Sequence, residues 1–252
     1  MTALAIAQHD ICMGVMSRLG LAFQSYKTDE PRPSLRRLVG ELDVLAEPLR
    51  RPFRKLEIKS ADAPKVVMLL PGFVASPLQM RYLARQIGAA GHTVKKWGMG
   101  ANMGASEQRI STLEDRLAAI QCRYGRDVVL LGWSLGGIFA RELAHRQPEM
   151  VERVITMGSP IAGDKRANNA WRAYQLVAGH AIDALPVDVN LDQKPPVETV
   201  AMWSPIDGVI PPHAAKGTDA LQDRDVEVDC THIGFSYDPN AIQAILRELD
   251  RK

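Results

Sequence analysis

At 252 residues, with 46% hydrophobic and 24% charged side chains, the chain is long enough for one globular α/β domain with a small insertion. A formal net charge of +2 speaks against nucleic acid as a partner, and Arg36-Arg37 and Arg50-Arg51 sit among apolar residues as solvated faces. Cys12, Cys122 and Cys230 are odd in number and lack metal-ligand spacing, which points to reduced thiols in a cytoplasmic protein.

Met1 to Phe23 is fairly apolar but has no basic leading segment, and His9, Asp10 and Arg18 interrupt runs too short to span a bilayer. It reads as a helix for docking or for contact with a membrane surface, on a soluble protein; the alternative is a cleaved signal peptide. Leu35, Leu38, Val39, Leu42, Leu45, Ala46 and Leu49 share one helical face, with Ser34 as N-cap and Pro31, Pro33 and Pro52 as brackets. Residues 1–52 are therefore expected to form an N-terminal helical extension to a main domain of residues 53–252. Its apolar content fits shielding of a sheet edge, self-association into a homo-oligomer, or contact with lipid, and does not choose among them.

From Val66 onward the pattern alternates. Val66 to Leu70 is a continuous apolar run stopped by Pro71-Gly72, as a strand buried on both faces should be. Leu78 to Ala90 gives a helix, Thr93 to Trp97 a strand, Gly98 to Gly104 a Gly-rich loop, and Ile110 to Ile120 a helix. Val128 to Gly132 is a strand and Leu135 to Arg146 a helix. Arg153–Gly158, Thr199–Ser204 and Val226–Cys230 supply further strands, and Ile242 to Leu249 a closing helix. Strands and helices taking turns at this spacing predict an α/β fold: a mostly parallel central sheet flanked by helices. Between Gly158 and Thr199 about forty residues stand where a short crossover would serve. Ala167, Ala170, Trp171, Tyr174, Val177, Ala178 and Ala181 share a helical face there. Residues 161–198 are expected to be a small cap, with Trp171 and Tyr174 toward an apolar substrate; the alternative is a crossover helix with a long return loop.

Gly132-Trp133-Ser134-Leu135-Gly136 lies between a strand and a helix. A sharp strand-to-helix turn strains the serine backbone and needs small neighbours two residues away, and it points the following N–H groups toward developing negative charge. Ser134 is the expected nucleophile. A serine hydroxyl needs a base. Of the histidines, His232 follows the last strand, at the sheet edge where open α/β sheets carry their sites, and His213 reads as a rim residue. Asp207, in the turn Ser204-Pro205-Ile206-Asp207-Gly208 after a strand, is the expected orienting acid. Asp183, Asp188 and Asp192 lack a strand-end anchor, and Asp229 lies inside the expected last strand. Phe73, after Pro71-Gly72, and Leu135 are the expected backbone N–H donors of an oxyanion hole.

From about Phe53 to the C-terminus the chain resembles the α/β-hydrolase superfamily. Leu70-Pro71-Gly72-Phe73, the Gly-Trp-Ser-Leu-Gly-Gly elbow and the Ser-Pro-Ile-Asp-Gly turn are similar to those of bacterial lipase- and esterase-like members. The resemblance implies hydrolysis of carboxylic esters through an acyl-enzyme, with no cofactor or metal. Phe73, Trp133, Trp171 and Tyr174 are the expected substrate-binding side chains. Pro71-Gly72 stands where many members have His-Gly, and Trp133 where many have His, which bears on acyl-chain preference. Thioester hydrolysis or acyl transfer would use the same residues, and a non-catalytic binding protein could use the same fold.

Overall fold

The computed structural model describes residues 16–53, 56–187 and 189–251. The start of the expected extension, with Cys12, and Asp188 of the expected cap lie outside them. Six strands, β1 (Val66–Leu70), β2 (Thr93–Lys96), β3 (Val128–Trp133), β4 (Val151–Met157), β5 (Glu198–Trp203) and β6 (Arg224–Glu227), form one sheet in the order β2-β1-β3-β4-β5-β6. Every pairing is parallel.

Helices among the described residues include α1 (Leu35–Gly40), α2 (Arg81–Ala89), α3 (Glu107–Tyr124), α4 (Leu135–Arg146), α5 (Trp171–Ala178), α6 (Pro212–Lys216) and α7 (Pro239–Asp250). Because side chains alternate along a strand, Val67, Leu69, Val129 and Leu131 pack with Leu83 and Ile87 of α2 and Ile242 and Ile245 of α7. Their neighbours Val66, Met68, Val128 and Leu130 pack with Ile110 and Leu113 of α3 and Phe139 and Leu143 of α4. Helices therefore cover both faces, which is why β1 and β3 are apolar throughout.

Three elements differ from expectation. Strand β6 ends at Glu227 rather than Cys230. Val228 N–H still donates to Trp203 O, but the Ser204 hydroxyl takes the Cys230 carbonyl at 2.5 Å and draws the chain off the sheet. Asp229 thus lies beyond the strand, not inside it. In residues 161–198 the helix is confined to α5, stopped by Gly179 at φ 79°, and the chain beyond it to β5 has no further helix among the described residues. Third, the continuous helix expected over Leu35–Leu49 is broken. Ser34 caps α1 as predicted, accepting Arg37 N–H, but α1 gives way at Glu41 to 3₁₀ turns and then a short turn at Glu47–Arg50. Its apolar face points outward: Leu35, Val39, Leu42, Leu45 and Leu49 are 60–75% exposed, while Glu41 and Glu47 are buried.

Before α1, the chain is laid across the segment that follows β4. Gln175 Nε2 donates to Leu21 O, Tyr26 Oη to Asp164 Oδ2, Asp164 N–H to Glu30 Oε2, and Asn169 Nδ2 to Pro33 O. Among the described residues no helix is long and apolar enough to cross a membrane.

Candidate active site

Ser134 stands between the last residue of β3 and the first of α4, at φ 54° and ψ −122°. Only one other described non-glycine residue, Val74, has a positive φ. Such a conformation costs on the order of 1–3 kcal/mol and persists where the surroundings enforce it. They do so here by close approach. A Cβ on Gly132 would strike the backbone of Gly136 and Gly137, and one on Gly136 would strike Leu70 and Pro71. The small residues predicted around the serine are thus demanded by close approach, at Gly132 to the start of α4 and at Gly136 to the end of β1. Ser134 N–H is held by Met157 O at 2.8 Å, and Leu135 N–H opens α4, where the first amides lack intrahelical acceptors.

Beyond β5 and β6 the structure brings Asp207 and His232 together. Asp207 is fully buried, and its Oδ2 lies 2.7 Å from His232 Nδ1. Its other oxygen accepts Val209 and Ile210 N–H at 2.7 and 2.8 Å, so the carboxylate is held at both ends. Gly158, at the end of β4, lies against the pair: a Cβ there would meet Asp207 Oδ2, His232 Nδ1 and Phe235 at 3.0 Å each. Burial alone would drive the His232 imidazole toward neutrality. The charge and hydrogen bond of Asp207, with the charge of Glu41, outweigh it and hold its pKa above the ordinary value. His213 lies apart, exposed and 3.1 Å from Glu30 Oε2.

Phe73 follows β1 in a turn locked by Asn102, a buried residue of the Gly-rich loop that sequence reasoning passed over. Asn102 Nδ2 donates to Pro71 O, Asn102 O accepts Val74 N–H, and Asn102 N–H donates to Ala75 O, each at 2.8 Å. An Asn in a polar loop carries no sequence signal of such a role beyond its neighbourhood of glycines. The turn abuts the serine: a Cβ on Gly72 would sit 3.2 Å from Ser134 Cβ.

An apolar cavity opens at Ser134. Phe73, Leu135 and Ile138 line it from the sheet side, and Trp171, Tyr174, Ile182, Leu185, Val189 and Leu191 from the segment after β4. Tyr174 packs its ring 5.1 Å from that of Phe73 and accepts Ala105 N–H through its hydroxyl. Trp133 is placed differently from the expectation that it touches substrate. Its indole N–H donates to His232 O at 3.0 Å, and its ring belongs to the α2/α7 core, so it supports the histidine loop. Among the described residues no group of three or more His, Cys, Asp or Glu side chains is arranged to hold a metal ion. Cys230 is buried, which pushes its thiol pKa far up and leaves it unreactive.

No family model matches the chain. Over 67 residues it is 37% identical to the pimeloyl-[acyl-carrier protein] methyl ester esterase of Aromatoleum aromaticum, so it spans only 27% of the length of that curated relative. Among solved structures it is similar to MGS-MChE2, an α/β hydrolase from the metagenome of lagoon sediments of Mar Chica, Morocco. The TM-score is 0.55 at 22% identity, over 76% of this chain and 91% of that one. Polyneuridine aldehyde esterase superposes with a TM-score of 0.52 at 13% identity, over 75% of this chain and 100% of its own. At these identities the likeness is one of architecture: the chain shares the α/β-hydrolase fold with these proteins.

Proposed function

We propose that the chain hydrolyses carboxylic esters with an apolar acyl part, through an acyl-enzyme on Ser134. The observation that carries this is a serine held in strained backbone at the mouth of an apolar cavity, with a buried Asp–His pair at the same sheet edge. His232, its Nδ1 engaged by Asp207, takes the Ser134 proton on Nε2 as the oxygen bonds the ester carbonyl carbon. The carbonyl oxygen becomes an oxyanion received by Phe73 and Leu135 N–H. Collapse of that intermediate breaks the ester C–O bond, and His232 returns the proton to the departing alkoxide. Water then repeats the sequence on the acyl-enzyme, releasing the acid and restoring Ser134. Phe73, Trp171 and Tyr174 hold the acyl chain in the cavity.

The test is an ester panel of rising acyl length, run on the wild type and on Ser134→Ala. A fluorophosphonate should label Ser134, and Ser134→Ala should keep its fold by circular dichroism while losing turnover by about 1,000-fold or more. Full activity in Ser134→Ala would discard the reading. No labelling of a folded preparation would leave a binding protein on this fold. Methyl esters and acyl-CoA thioesters in the panel, with and without an alcohol acceptor, separate ester hydrolysis from thioester hydrolysis and acyl transfer.

A further inference from the structure

Glu41 lies in the 3₁₀ turns after α1, far in sequence from the site, yet it is 5% exposed. Its Oε1 accepts Gly208 N–H at 2.9 Å and His232 N–H at 2.8 Å, and its Oε2 accepts Ile233 N–H at 2.9 Å. One carboxylate thus ties the amide next to Asp207 to the amide of His232 itself. Charged acceptors make the stronger hydrogen bonds, and a buried carboxylate deprived of them would be costly to keep. The backbone of α1 is pressed close as well. A Cβ on Gly208 would strike the Arg37 carbonyl and Leu38, so glycine is needed there for contact with the extension.

We infer that Glu41 is a positioning residue for the Asp207–His232 pair, supplied by the N-terminal extension as a clamp across the two loops that carry them. The inference rests on the proposed role of that pair. The clamp sets the separation of Asp207 and His232 without touching substrate, and its charge adds to that of Asp207 in favouring the imidazolium formed during turnover. Asp207 and Glu41 are the charged groups that act on the imidazole.

The test compares the wild type with Glu41→Gln, Glu41→Asp and Ser34→Ala. Measured are kcat and KM on an ester the wild type cleaves, the pH profile of kcat/KM, thermal unfolding, and the His232 pKa by NMR of its ring protons. Glutamine offers one acceptor oxygen and a donor nitrogen, so amides lose their partner and the charge is gone. Glu41→Gln should lower kcat on the order of 10- to 100-fold with KM within about twofold, and move the acid limb and the NMR pKa of His232 to lower pH. Glu41→Asp keeps the charge but is one methylene short; kcat should fall with the acid limb in place. Ser34→Ala removes the cap of α1 and should lower the unfolding temperature without moving the pH profile. A Glu41→Gln protein with kcat within twofold of wild type and an unmoved limb overturns the inference. If that variant does not fold, a folded Glu41→Asp with wild-type kcat overturns it instead. A wild type that neither cleaves esters nor labels at Ser134 sinks the esterase reading, and an unmoved NMR pKa in Glu41→Gln then sinks the clamp separately.

Discussion

At the scale of single residues, the protonation of His232 governs the proposed chemistry. A general base works only when neutral, so activity should rise with pH through the His232 pKa. That pKa is held above the ordinary value of about 6.5 by Asp207 and Glu41 against the opposing effect of burial. The acid limb of kcat/KM should therefore lie above pH 6.5. A limb at or below that value would contradict the electrostatics of the pair. The positions of Ser134 and Asp207 are marked in the sequence by the apolar strands β3 and β5 that precede them, whereas His232 follows a short polar strand, Arg224–Glu227, from which the chain has already left the sheet. Asn102 and Glu41 carry no such mark. Asn102 acts through bonds to a turn some thirty positions away, and a glutamate in an amphipathic stretch reads as the solvated side. Gly208 stands in a turn that the sequence predicts, while its need for glycine comes from a contact that no local pattern encodes.

Among the elements, the sheet was the easiest to read and the extension the hardest. Strands β1 and β3 and helix α4 appear with the expected starts because burial on both faces, or a glycine-flanked turn, writes itself directly into composition. In α1 and the turns after it, the 3.6-residue period is present, but acidic anchors take the inner side and leave the leucines outside. The two kinds of apolar face should respond oppositely to mutation. Leu42→Gln, on the exposed face, should change unfolding free energy by about 0.5 kcal/mol or less, whereas Leu83→Ala, fully buried in α2, should cost about 2–5 kcal/mol. Urea midpoints of both variants check this, and a large loss in Leu42→Gln would show that the leucine face is covered in solution. The segment after β4 falls between these cases. Its Trp171 and Tyr174 line the cavity, but its helix is shorter than the alanine spacing implies, because Gly179 ends it.

Across the whole molecule, the parallel sheet forces every strand-to-strand step through a crossover, and the site forms where the loops of several crossovers meet. Trp171 and Tyr174 from one connection, Phe73 from another and Ser134 from a third converge on one cavity. Asp207 and His232 arrive from the last two strands.

The Glu41 clamp also has a history in time. Glu41 and His232 are separated by 191 positions, so a ribosome releases the carboxylate long before the amides that it must hold. The sheet can gather its strands progressively, but this closure waits for nearly the whole chain, and contacts of such range are slow to form. In refolding from urea, ester turnover should therefore recover after far-ultraviolet circular dichroism, and Glu41→Gln should shorten that lag while lowering the final activity. Of the two partners, the one made earlier would be the one that finishes the site.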